Sequence, residues 1–208
     1  MTHTLHREGS IDDLNEDFIV LGMPCKGITT DGSGPKLKKF LELALKYDPV
    51  NIGDSKAGNQ YSLKSRQTVL DKVKDGSVCH AVYDNPESVY KLVRDLKEED
   101  LCMCFTISGL MHVADECCKK AGLQRHTVNM SLGIYGKTEK LASDASREIS
   151  TMCGHGMVTA NLILSMVEKI KKGSITPEKA SESLAATCLC GIFNPKRGAK
   201  LLRRMAGA

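Results

Sequence analysis

The chain has no tryptophan, and aromatic residues make up 4% of its 208 residues. Few stacking platforms are therefore on offer to unpaired bases, which disfavours single-stranded nucleic acid as a partner. A dominant charge is lacking too. Lys+Arg number 29 against 25 Asp+Glu, a formal +4 spread along the chain, apart from a short run of Lys196, Arg197, Lys200, Arg203 and Arg204 near the end. That run reads as the solvated face of an amphipathic helix, and no nucleic-acid partner is expected. Long apolar runs are missing as well. The most apolar stretch, Asn161 to Ile170, is interrupted by Ser165 and Glu168, so no membrane span is expected. The opening Met-Thr-His-Thr-Leu-His-Arg holds no apolar stretch of signal-peptide length, so secretion is not indicated.

Cysteine, by contrast, is plentiful. There are nine, an odd number, and they sit inside apolar runs rather than between loops, unlike a secreted disulfide framework. Reduced thiols in a cytoplasmic, reducing compartment are expected, some of them with chemical work.

Apolar periodicity places strands at Asp17 to Met23, Ser77 to Tyr83 and Leu101 to Ile107, and an alternating, half-buried strand at His126 to Ile134. Helices fall between them: one follows the loop Thr29 to Pro35, one buries Val69, Leu70 and Val73, and one starts at the cap Asn85-Pro86. Asn51 to Tyr61 reads as a long polar loop. Strands alternating with helices imply an α/β fold with a mostly parallel layered sheet, over residues 1–140. Beyond it, residues 141–208 read as a helical, cysteine-bearing segment packed on the same core, with helices at about His155 to Lys172, Thr176 to Thr187 and Asn194 onward. The first of these is apolar almost all round and is expected to be central.

Two short motifs carry the candidate site: Met152-Cys153-Gly154-His155-Gly156 at an expected helix start, and Cys188-Leu189-Cys190-Gly191 between two helices. A helix N-terminus favours thiolate, the form that binds metal or attacks carbon. Gly154 and Gly191 let backbone amides approach a cofactor closely, and Ser108 and Gly109 offer further amides for an anion. Four thiolates close an iron-sulfur cluster, and Cys25, at the end of the first strand, is the candidate fourth ligand to Cys153, Cys188 and Cys190. A 4Fe-4S protein of reducing or anaerobic metabolism is the leading expectation, passing electrons to a redox partner or using an open iron as Lewis acid on a small molecule. Two alternatives stand beside it. With His155 the three cysteines can make a zinc site that stabilises an interaction module. Without metal, Cys153, with His155 beside it, can serve as nucleophile or acid/base on a small carboxylate substrate.

The first motif resembles the Met-Cys-Gly-His-Gly element of proline racemases and hydroxyproline epimerases. The likeness is confined to that element, and it implies Cys153 as one acid/base and Cys188 or Cys190 as the other. The second motif departs from the family pattern, with Cys190-Gly191-Ile192-Phe193 where those enzymes carry Cys-Gly-Thr-Gly. Cys79, Cys102, Cys104, Cys117 and Cys118 are assigned to the core, as are His80 and His126. The turn Gly32-Ser33-Gly34 offers a helix N-terminus to an anion.

Overall fold

A computed structural model describes residues 4 and 6–207; the rest of the N-terminal run and Ala208 lie outside the described residues. Its elements are α1 (Ile11–Leu14), β1 (Phe18–Met23), α2 (Ser33–Leu45), β2 (Asn51–Asp54), β3 (Gly58–Asn59), α3 (Arg66–Lys72), β4 (Cys79–Tyr83), α4 (Pro86–Glu99), β5 (Cys104–Ser108) and α5 (Met111–Lys120). Four helices follow: α6 (Asp144–Ser150), α7 (Ala160–Lys171), α8 (Pro177–Thr187) and α9 (Pro195–Ala206).

The strands form one five-stranded sheet in the order β3-β2-β4-β1-β5, and every neighbouring pair is antiparallel. This corrects the expectation of a mostly parallel sheet. β1 and β2, joined through α2, run the same way, and so do β4 and β5, joined through α4. The two units are interleaved, however. β4 lies between β1 and β2, and β1 lies between β4 and β5, which is the strand order of the split βαβ arrangement. Alternation of strand and helix establishes that two strands share a direction, not that they are neighbours. The supposed loop Asn51 to Tyr61 contains the β2–β3 hairpin, whose short polar strands hide the pairing.

Period-two alternation gives the sheet two buried faces. Phe18 and Val20 of β1, Ile52 of β2 and Ala81 and Tyr83 of β4 point to one face, where α2 and α4 cover them with Leu37, Phe40, Leu41, Val89 and Leu92. Ile19 and Val82 point to the other. That face is covered by Ile149, Ile163, Val167, Leu184, Ile192, Phe193, Leu201 and Leu202, all from the C-terminal helices and their connections. The three clustered cysteines described below belong to this second core.

Several local expectations give way. The segment His126 to Ile134 forms no strand, and Met130 and Leu132 are exposed. Its alternation defines two sides but supplies no hydrogen-bonding partner, and β5, the edge strand, is only half buried. α7 begins at Ala160, capped by the Thr159 hydroxyl, and buries only Ile163, Val167 and Ile170; Met157 and Leu164 are exposed, so it is a covering helix, not a central one. Among the described residues no helix is long and apolar enough to cross a membrane.

Candidate functional site

Two loops of the second core carry the site. The first leaves the end of α6 and runs from Thr151 to Thr159. It contains Cys153, which therefore lies after a helix, not at the start of one, and the helix-dipole argument for its reactivity falls away. The second joins α8 to α9; Cys188 caps the end of α8, and Asn194 caps the start of α9 through its side-chain oxygen. Cys153, Cys188 and Cys190 are almost fully buried, at 2%, 0% and 4% exposure.

The three thiols lie side by side. Cys153 neighbours Cys188, and Cys188 neighbours Cys190, closely enough for each to shift the other's titration. Backbone amides act on them to favour the thiolate: those of Val158 and Met157 lower Cys153, that of Phe193 lowers Cys188 and that of Ile192 lowers Cys190. On the solvent side the His155 ring meets the group, its Nδ1 3.8 Å from Cys190 Sγ.

The titration of the trio follows from these contacts. The hydrogen bond to Cys188, with burial, drives the Cys153 thiol well above its usual range. Cys188 is lowered by its contact with Cys153, but its contact with Cys190, burial and the charge of Cys190 together outweigh this and push it up to about 12. Cys190 is lowered, chiefly because Cys188 donates to it. The titrations of the three thiols are therefore coupled to one another.

Tight backbone packing explains the loop shapes. Gly191 has φ +77°, and a Cβ there would meet the Gly53 Cα at 2.7 Å; a Cβ on Gly53 would meet the Cys190 carbonyl oxygen at 2.5 Å. The cysteine loop therefore lies directly on β2, opposite His80, which is fully buried on the same sheet face. Gly156, also in the left-handed region, donates to the Cys153 carbonyl at 3.1 Å and turns the first loop back on itself.

Polar side chains from outside the motifs fix both loops. Asn59 donates to the carbonyls of Ala185 and Cys188, and Asn51 to that of Phe193. Arg7 bridges the loops, donating through Nη2 to the carbonyls of Met152 and Ile192, while its Nη1 pairs with buried Asp17. Asp17 in turn pairs with Arg197, a member of the basic run that proves fully buried rather than solvated. None of Arg7, Asn51 and Asn59 was legible as a site residue. Arg7 lies in a polar N-terminal run and both asparagines in what reads as a loop.

The other sequence candidates lie elsewhere. Cys25 is exposed and closes its own turn, its amide donating to Thr29 Oγ1 at 2.9 Å and its carbonyl accepting from Ile28 and Thr29, so it stands outside the buried trio. Ser108 and Gly109 line a separate cleft of about 740 Å³ between β5, α5 and residues 123–131. Gly109 is glycine because a Cβ there would strike the Phe18 ring at 2.4 Å. The anion at Gly32-Ser33-Gly34 is internal: Asp75 accepts from the amides of Gly32 and Gly34. Cys79 and Cys117 are buried as expected, Cys104 and Cys118 are half-buried, and Cys102 and His126 are exposed.

No family model, curated protein or solved structure matches the chain. Among the described residues, no group of three or more His, Cys, Asp or Glu side chains forms a ready metal-holding set.

Proposed function

We propose that this chain is a metal-centre protein of a reducing compartment, with Cys153, Cys188 and Cys190 as inner-shell ligands in the iron-sulfur or zinc-thiolate class. The observation that carries this reading is the lining of the trio. A thiol is a weak acceptor and gains little from an amide N–H, whereas a thiolate gains a charge-assisted bond from each. Here three sulfurs from two loops are buried in one core, and neighbouring backbone amides favour the thiolate form of each. Three thiolates in one buried pocket repel one another, and a bound cation is what balances them. All nine cysteines are free thiols, which accords with a reducing compartment. A centre with four protein ligands is suited to electron transfer or structure, and one with an open position to Lewis-acid chemistry on a small molecule.

Anaerobic purification followed by metal analysis tests the reading. Stoichiometric zinc or iron is expected in the wild-type chain, reduced in each of Cys153→Ser, Cys188→Ser and Cys190→Ser. A folded wild-type protein that carries no metal and takes up neither ion overturns it. In that event the metal-free thiol enzyme is favoured by one contact, the Cys190 thiol against the His155 imidazole, and Cys190 replaces Cys153 as the nucleophile.

A further inference from the structure

We propose that residues 127–132 are a strap that closes the cleft beside β5 by adding to the outer edge of that strand, and that the arrangement described above is the open state of a two-state device. The inference stands apart from the chemistry of the cysteine loops.

The cleft has the outline of a missing strand. β5 ends the sheet, with β1 as its neighbour, and all of Cys104 to Ser108 line the cleft of about 740 Å³. α5 overhangs that edge. Its Val113 and Cys117 pack on the first core, while Met111, Ala114, Asp115 and Cys118, three and four apart on the adjoining stripe, face the cleft. In a strand-helix-strand unit the crossover helix covers both strands. Here its second stripe covers the empty position.

The chain supplies what fits there. Residues 123–131 form part of the cleft wall, and beyond α5 Val128, Met130 and Leu132 alternate with Thr127, Asn129 and Ser131. Met130 and Leu132 are 64% and 79% exposed in a stretch without regular structure, so an apolar side with the period of a strand stands uncovered. β5 carries the matching pattern: Phe105 and Ile107 pack toward the first core, and Cys104, Thr106 and Ser108 alternate with them. Laid beside β5, the apolar side of the strap comes under α5 and its polar side takes the opposite face, where Ser131 Oγ already lies 3.1 Å from His6 Nδ1. Residues 109–126, with α5 among them, are a crossover long enough for a neighbour running in the direction of β5. Gly122 and Gly133 flank the strap with φ of +64° and +103°, and each can absorb the rotation of a hinge.

Residue-resolved hydrogen exchange of the full chain tests the proposal. On an edge strand alternate amides point to the neighbour and the others to water, so residues 127–132 should show protection at every second position, about tenfold if the strap is closed about nine-tenths of the time. Met130→Asp, which on closing would carry a charge under α5, should abolish the pattern, and Met130→Leu should keep it. Unprotected exchange throughout residues 127–132 of the wild type overturns the strap. The same protection in Met130→Asp overturns the placement of its apolar side under α5. Protection that appears only as protein concentration rises, together with a dimer in light scattering, overturns closure within one chain in favour of strap exchange between two copies.

Discussion

Gly191 combines a left-handed φ with contact against the β2 backbone, so any side chain there meets both backbone strain and a clash that no rotamer relieves. Strain of this kind costs about 1–3 kcal/mol, and the clash adds to it by lifting the loop that holds Cys188 and Cys190. Gly191→Ala is therefore expected to lower stability by at least that amount and to weaken metal uptake together, read by denaturant melts and metal titration of one preparation. A variant of wild-type stability would show that the loop does not rest on β2 as described. Arg7 is the other decisive residue. Its guanidinium joins the Met152 and Ile192 carbonyls, one from each cysteine loop, and its buried partner Asp17 is shared with Arg197. Nothing in the character of an arginine near a polar N-terminus announces this role, which arises from residues more than a hundred positions away. The cysteines are different: their spacing and flanking glycines mark them as a candidate site in the sequence alone.

At the level of elements, helices were legible because their start signals are local. Asn85-Pro86, Thr176-Pro177 and Asn194-Pro195 each place a capping side chain and a first-turn proline. The start of α2 is capped from a distance by Asp75, whose carboxyl the amides of Gly34 and Gly32 hold below its ordinary value of 3.8. A carboxylate whose folded pKa is depressed contributes stability above its unfolded pKa and loses it as pH falls through the folded one. Asp75→Asn should accordingly lower the melting temperature at neutral pH, and the gap between variant and wild type should close at the acid end, below the usual carboxylate range. Melting curves across that range check it; a gap independent of pH would assign the effect to packing. Strands were harder to place. β1 and β4 are apolar enough to be plain, while the short polar β2 and β3 read as loop, and the alternation of residues 126–134 meets no partner strand. Alternation reports which side chains share a side, and strand formation also requires a hydrogen-bonded neighbour.

For the whole molecule, the sheet has a core on each face, and the second consists of Ile19 and Val82 against the C-terminal segment. Ending the chain at Ser150 would uncover that face and remove Arg197 from buried Asp17. Each large side chain re-exposed costs roughly 1.5–3 kcal/mol, and several are lost at once, so the shortened chain should aggregate or melt without cooperativity. Gel filtration and thermal denaturation test this. A stable monomer of residues 1–150 would mean that the first core suffices and that the cysteine loops are attached to an already folded domain.

The amino-acid sequence by itself determined the helices with their caps, the most apolar strands, and the two motifs bearing Cys153, Cys188 and Cys190. These are local properties, encoded in runs of a few residues. Tertiary structure alone decided that the βαβ units interleave and the sheet is antiparallel, because strand order depends on which pairings complete the hydrogen-bond ladder between distant segments. It also decided that Cys25 is exposed in a turn of its own while the His155 ring lies against Cys190. The direction in which a loop side chain points is set by the packing of Gly191 on Gly53 and by the Arg7 bridge, contacts between residues with no proximity along the chain.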